Sequence, residues 1–525
     1  MLRRPGLLLF MLCIFFYTII QYGGIRAPDA EVVFRVGENL ADGNGFGVTS
    51  NLENWKDFGV AYGKDSVLYS VYPPGESVAL VPFILTARWI NQTGWYENIS
   101  IPLSHYVNDG FRKTFYRKPE TNLEPHALRF LCSAFNILAA SFGVLIFYGI
   151  LFVTTHSRLA SLFVSLLYAF GTIVWNYAGT FFSEPLTLVW VLSSFYFLVR
   201  SDPQFIGSRR ISISNHLSIS GILLGLALVT HTNSMMLAPF FAFYAWRLSG
   251  KKRMTFLWFA AGFLIFVLLL GYYNLFRFGN FLETGRGLSA HNPVDFVFPT
   301  SLLYWKNLFG LLVGYGKGLF LFCPSVLAGI LTWNSLHKKH PSLSMALLAM
   351  IGLVTLMAAS YQYWHAGFCL GPRYLMTIIP FMLIPVAFWV KENIEINRNG
   401  IAMKLYIGVL CLAAAQQLYF GIGELFSFYH VQKWTYIAKG VDIFLNDRIY
   451  MNWKFSPLHQ LLTFDRGPFI LQSIPLSNQV LWVCVSLLTT MTLVVTTFFC
   501  YKKVFSKPLQ NKNAPSTVVN EASDN

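Results

Sequence analysis

Two carboxylic acids, Asp29 and Glu31, stand two residues apart in the run Arg26-Ala-Pro-Asp-Ala-Glu31, just after an apolar stretch from Gly6 to Tyr22. A carboxylate held at the edge of an apolar segment can take the proton of a hydroxyl as that oxygen attacks an electrophile, the work of a general base. Negative charge that develops elsewhere in such a reaction calls for cations and hydrogen-bond donors. The chain offers Arg277, Arg286, Lys317 and Arg373, with His231 and His365. Arg373 follows Gly371-Pro372 and is the strongest candidate for a phosphate, because a guanidinium grips phosphate through two parallel bonds. Glu184 opens a later apolar segment, Trp364 flanks His365, and Tyr72 begins Tyr72-Pro-Pro-Gly75.

Each candidate also has a plainer reading. An acid at a helix start favours the helix dipole without catalysis. An arginine at a span end snorkels to the interface, and aromatic residues there form a belt. Metal-ligand spacings such as HxxxH or DxD are lacking around these acids and histidines, so the sequence leads us to expect neither a cofactor nor a catalytic metal.

The elements that must position these residues are membrane helices. Of the 525 residues, 55% are hydrophobic and only 12% charged, about half the charged share of a soluble domain, and the mean hydropathy is +0.50. The seven cysteines are scattered without a CxxC pair, which argues against a disulfide framework or a zinc site. The fold class expected is therefore all-α: a polytopic membrane protein with about twelve spans. The first is an uncleaved segment after Arg3 and Arg4. Others begin near Leu128, Leu159, Leu186, Ile219, Ser234, Thr255, Gly318, Leu343, Tyr374, Leu405 and Ser477. The run Ser77 to Ile90 is too short to cross and is expected to be a juxtamembrane helix. One transmembrane domain over residues 1–506 is expected, with outer loops at 23–126 and 427–476, and a disordered tail over 507–525.

Charge supports this topology. The segments assigned to the inner side hold 19 of the 39 basic residues but only five of the 24 acidic ones. Nearly all of the net +15 thus falls on one face, as the positive-inside rule requires, and no nucleic-acid partner is needed to explain it. Eight segments that carry acids, cations, histidines and glycine turns then share the outer face, while the centres of the spans carry almost no charge. That distribution suits a site at the water–lipid boundary. A transporter places ionisable groups nearer the midplane.

These segments, in this order, resemble the GT-C glycosyltransferases, in particular the polyprenyl-phosphate-sugar-dependent enzymes similar to protein O-mannosyltransferases and aminoarabinose transferases. The matching features are Pro28-Asp-Ala-Glu31 after the first span, Tyr72-Pro-Pro-Gly75 leading into the juxtamembrane helix, and Ser183-Glu-Pro185 at a later helix start. The run Gly221 to His231, Asn274 with Gly279, Gly318-Leu-Phe, and Gly371-Pro-Arg-Tyr374 continue the pattern. The likeness covers most of residues 5–390. The mannosyltransferases carry adjacent acids where this chain has Asp29-Ala-Glu31, so both acids stay candidates, with Asp29 preferred as the base.

The resemblance implies inverting transfer of a sugar from a polyprenyl-phosphate donor to a glycan, glycolipid or protein acceptor on the extracytoplasmic face. Twelve spans after a basic, cytoplasmic start are expected to leave both termini on the cytoplasmic side. A bacterial plasma membrane is expected, since the chain lacks the large lumenal domains of the eukaryotic relatives. A lipid-linked glycan flippase, or a glycan polymerase or ligase, is the alternative reading of the same outer site.

Overall fold

The computed structural model describes residues 4–20, 25, 27–48, 59–98, 124–206, 213–250, 252–289, 296–367, 369–394, 400–422 and 448–459. Arg26, the span expected near Ser477, the tail over 507–525 and most of the 427–476 loop lie outside these residues. All described residues belong to one unit, Met1–Ile474.

Among the described residues, six helices are long and apolar enough to cross a bilayer: Ala127–Thr155, Ile213–Thr230, Arg253–Phe278, Pro341–Ala359, Arg373–Asn393 and Ile401–Gly421. Four shorter apolar helices accompany them, Pro5–Thr18, Arg158–Phe170, Glu184–Val199 and Leu302–Val313. The chain is thus a multi-pass membrane protein. Where a further span was expected from Gly318, the helix is broken into Leu319–Phe322, Ser325–Leu331 and Trp333–Lys339, with Pro324 at the first break.

Without a hydrophobic force between helices in lipid, close backbone approach supplies the packing. The clearest instance joins Ile213–Thr230 to Arg253–Phe278. A Cβ on Gly221 would lie 2.1 Å from the carbonyl oxygen of Phe259, and one on Gly262 would lie 2.7 Å from that of Ser218.

The segment after the first helix, α1 (Arg4–Ile19), is more ordered than the polar loop expected from sequence. It contains a helix, α2 (Pro28–Ala41), and a hairpin of β1 (Val60–Tyr62) and β2 (Leu68–Ser70), followed by the expected juxtamembrane helix, α3 (Gly75–Asn91). The strands pair antiparallel, with Val60 opposite Ser70 and Tyr62 opposite Leu68. Val32 and Val36 on one face of α2 bury against Val48 and Val60, with Leu40, Phe46, Leu68 and Tyr72 closing the cluster. That amphipathic spacing, four residues between Val32 and Val36 and four more to Leu40, is what folds this run as a helix. On another face α2 packs on α3, where Ser77 Oγ donates to Val33 O at 2.8 Å.

Candidate active site

Three carboxyl side chains share one local design. Asp29, Glu76 and Glu184 each lie in the first turn of a helix whose start is marked by proline: Pro28 in α2, Pro73-Pro74 before α3, and Pro185 in Glu184–Val199. Proline at the first helical position gives up no hydrogen bond, and the unpaired amides of a helix start favour negative charge. Local sequence therefore places an acid at each of three helix ends, and tertiary packing brings those ends together.

They meet at Arg373. Its Nη1 donates to Asp29 Oδ2 at 2.9 Å, and its Nε lies 2.6 Å from Glu184 Oε1. The second contact is ionic rather than an aligned hydrogen bond, since neither atom has a partner with hydrogen-bond geometry. The guanidinium sits over the ring of Phe182, 4.3 Å from its centroid. His231 Nε2 is 3.7 Å from the same Glu184 oxygen, too far for a hydrogen bond. Burial, then the charges of Arg373 and Arg286, lower His231 to about 3 and keep it neutral.

Much of the surrounding structure holds this arginine in place. The loop that carries it turns through Ala366, Gly367 and Gly371, all at positive φ. Lys317 is fully buried and donates to the carbonyl oxygens of Gly367 and Cys369, and Tyr177 Oη donates to Leu370 O at 3.0 Å. Asn136 Nδ2 donates to the carbonyls of Thr180 and Phe182, fixing the turn ahead of Glu184. His365 stacks on Tyr450 with ring centroids 4.4 Å apart and accepts from the Gly367 amide at Nδ1. Trp364 is buried beside it, against Gly310 and Tyr450.

The candidate residues therefore divide. Asp29, Arg373, Glu184 and His231 come together at one site. Glu31 does not join them. It is buried in a separate ion cluster, 2.8 Å from Arg35 Nε and 2.7 Å from Arg129 Nη2, and Arg129 also approaches Glu38 at 3.7 Å. Burial alone raises the Glu31 carboxyl, but Arg129 and Arg35 outweigh it and hold the group at about 2. This cluster ties α2 to the Glu124–Cys132 helix. Arg277 likewise spends its donors on protein, reaching Ser70 O and Asn274 Oδ1 with its guanidinium 3.7 Å from the Tyr273 ring centroid. It thereby anchors the β1–β2 hairpin that leads to Tyr72.

Arg286 differs from the other cations. It is half-buried, and its guanidinium lies 5.6 Å from the ring centroid of Tyr72. Among the described residues it makes no ion pair. Nearby, Tyr361 Oη donates to Asn233 Oδ1 at 3.0 Å and Tyr361 packs on Tyr374 with centroids 5.2 Å apart.

Sequence reading missed one member, Glu76. It is 1% exposed, and its Oε1 has no hydrogen-bond partner. The charges that act on it are those of Glu184, Asp29 and Arg373, so it belongs to the same group. The signal was available: Pro-Pro-Gly-Glu is a helix start with an acid in its first turn, the pattern shared with Asp29 and Glu184. Among the described residues, no three His, Cys, Asp or Glu side chains are grouped as metal ligands.

No family model and no curated protein matches the sequence. By fold the chain is similar to the archaeal oligosaccharyltransferase AglB from Archaeoglobus fulgidus, solved with an inhibitory peptide and a dolichol-phosphate. The TM-score is 0.45 and the identity 11%, over 90% of this chain and 60% of that one. It is also similar to ArnT from Cupriavidus metallidurans, solved with undecaprenyl phosphate, at TM-score 0.39 and 12% identity over 79% of this chain and 71% of that one. This chain thus spans less than two thirds of the archaeal enzyme.

Proposed function

We propose that the protein is a membrane glycosyltransferase that moves a sugar from a polyprenyl-phosphate donor to an acceptor hydroxyl on the extracytoplasmic face, with inversion and with Asp29 as general base. One observation carries this reading. Arg373 is held between Asp29 and Glu184 while Glu76 Oε1, both Glu184 oxygens and Arg373 Nε are buried without hydrogen-bond partners. Buried polar atoms are nearly always satisfied, so Glu76 Oε1 and Glu184 Oε2 call for an explanation, and a ligand bound beside this ionic group supplies one.

The chemistry follows from the geometry. The acceptor oxygen bonds to the anomeric carbon as the bond from that carbon to the phosphate oxygen breaks, and the acceptor proton passes to Asp29. Asp29 sits at the lip of the cluster, its side chain 17% exposed, where a hydroxyl can reach it. Arg373 fixes the direction of that carboxylate, and Glu184 fixes Arg373. The departing polyprenyl phosphate gains negative charge, which Arg286 is placed to receive because among the described residues its guanidinium makes no ion pair. Tyr72, Tyr361 and Tyr374, with Asn233, supply aromatic faces and polar groups for sugar and acceptor. In this reading Glu31, Arg277, Lys317, His365 and Trp364 build the scaffold.

The test is transfer by the purified protein with synthetic lipid-phosphate sugars. Asp29→Asn should slow product formation by about 10²–10⁴-fold while preserving donor binding. Turnover at the wild-type rate by that variant would refute the mechanism.

A further inference from the structure

Glu76 has no place in the mechanism above, yet it is set into the site with care. Gly75 presses the start of α3 against the end of the Ile213–Thr230 helix so closely that a Cβ there would lie 2.6 Å from Val229 O. On the α2 side, Ser77 is bonded to Val33 O. Glu76 is pinned between these contacts, almost fully buried, with one carboxyl oxygen unpartnered. The charges that act on it are Glu184 on the Glu184–Val199 helix, Asp29 on α2, and the single cation Arg373 beyond Pro372. His231, at the end of Ile213–Thr230, is neutral. Arg129, on the Glu124–Cys132 helix that also packs on α3, is taken by Glu31 and Glu38.

We infer that Glu76 is a proton-bearing carboxyl built into the site, a positioning residue whose neutrality keeps the Asp29–Arg373–Glu184 group open to an anionic phosphate. Two carboxylates and one guanidinium already leave that group with an excess negative charge. A third carboxylate would double the excess beside the place where a phosphate must sit, and two like charges in so dry a site cannot both be ionised cheaply. The group is raised well above the usual carboxylate range by burial first, then by Glu184 and Asp29, with Arg373 opposing. The unpartnered oxygen is then the acceptor end of a neutral acid, and its hydroxyl is available as a hydrogen-bond donor. The phosphate ligand rests on the proposed function; the proton on Glu76 does not.

Two measurements on the purified full-length protein separate these points. Infrared difference spectra of wild type against Glu76→Gln at neutral pH should show the carbonyl band of one protonated carboxylic acid, lost in the variant. No such band overturns the inference whatever the protein catalyses. Binding of farnesyl phosphate is then followed with pH. Wild-type affinity should fall by up to about tenfold per pH unit once Glu76 ionises, whereas Glu76→Gln, neutral and of the same shape, should lack that fall. The same pH dependence in both proteins, or no binding by either, overturns the role in phosphate access. Absence of sugar transfer with the band and the binding effect both present would instead refute the proposed function.

Discussion

Nη1 of Arg373 lies 2.9 Å from Oδ2 of Asp29, joining residues 344 positions apart in the chain. The contact links α2 to the start of the Arg373–Asn393 helix, and a second contact from Arg373 to Glu184 adds a third element. One arginine therefore orients the proposed base and neutralises part of a buried acidic group.

Replacing Asp29 tests the chemistry with little cost to the fold. Asp29→Asn keeps the shape and a weaker bond to Arg373. Loss of a general base reduces turnover by about 10²–10⁴-fold. The expected outcome is that loss in the transfer rate, with donor affinity changed far less.

Arg373 should be required for both folding and activity. Arg373→Ala strands Asp29 and Glu184 as unpaired acids in a buried setting, and breaking such a pair costs about 3–5 kcal/mol. Arg373→Lys keeps the charge but cannot span both carboxylates. Thermal unfolding in detergent should therefore rank wild type above the lysine variant and the lysine variant above alanine, with transfer lost in both.

Glu31 should act on stability alone. Its carboxyl is lowered to about 2 in the folded protein from an ordinary value of 4.5. A lowered acid contributes stability that is present above pH 4.5 and disappears as pH falls toward 2. Glu31→Gln should lower the melting temperature at neutral pH and flatten its decline over that acidic window. Transfer per folded molecule should stay near the wild-type rate; a loss like that of Asp29→Asn would make Glu31 part of the chemistry.

Arg286 should behave in the opposite way. Because it makes no ion pair among the described residues, Arg286→Ala should leave thermal stability nearly unchanged. A charged hydrogen bond contributes about 1.5–3 kcal/mol, so polyprenyl-phosphate affinity should drop at least about tenfold. Unchanged affinity in a titration of the lipid phosphate would remove Arg286 from the site.

Sequence alone determined the class of the molecule and the addresses of its polar groups. Apolar run length dictates spans, because about twenty residues are needed to cross a bilayer. Six of the expected starts, near Leu128, Ile219, Thr255, Leu343, Tyr374 and Leu405, coincide with helices long enough to cross. Charge sign predicts sidedness, and proline followed or preceded by an acid dictates a helix start. Asp29, Glu184, His231 and Arg373 were all identifiable on those grounds. The α2 helix was readable too, from the spacing of Val32, Val36 and Leu40, but its high charge disguised it as loop.

What only the tertiary structure decided is how each ionisable group is employed. Asp29 and Glu31 differ by two residues and so by more than half a turn of one helix. One therefore faces Arg373 and the other Arg35 and Arg129. Arg277, Lys317 and Arg286 look alike as outer cations, yet the first two are consumed by the backbone of Ser70, Gly367 and Cys369, more than forty positions away in every case. Glu76, one residue past Tyr72-Pro-Pro-Gly75, drew no role from sequence, and only packing buries it where the charges of Glu184 and Asp29 act on it. Electrostatic interactions act through space and depend on which partner remains unoccupied, a property of the folded chain that spacing along the sequence does not encode.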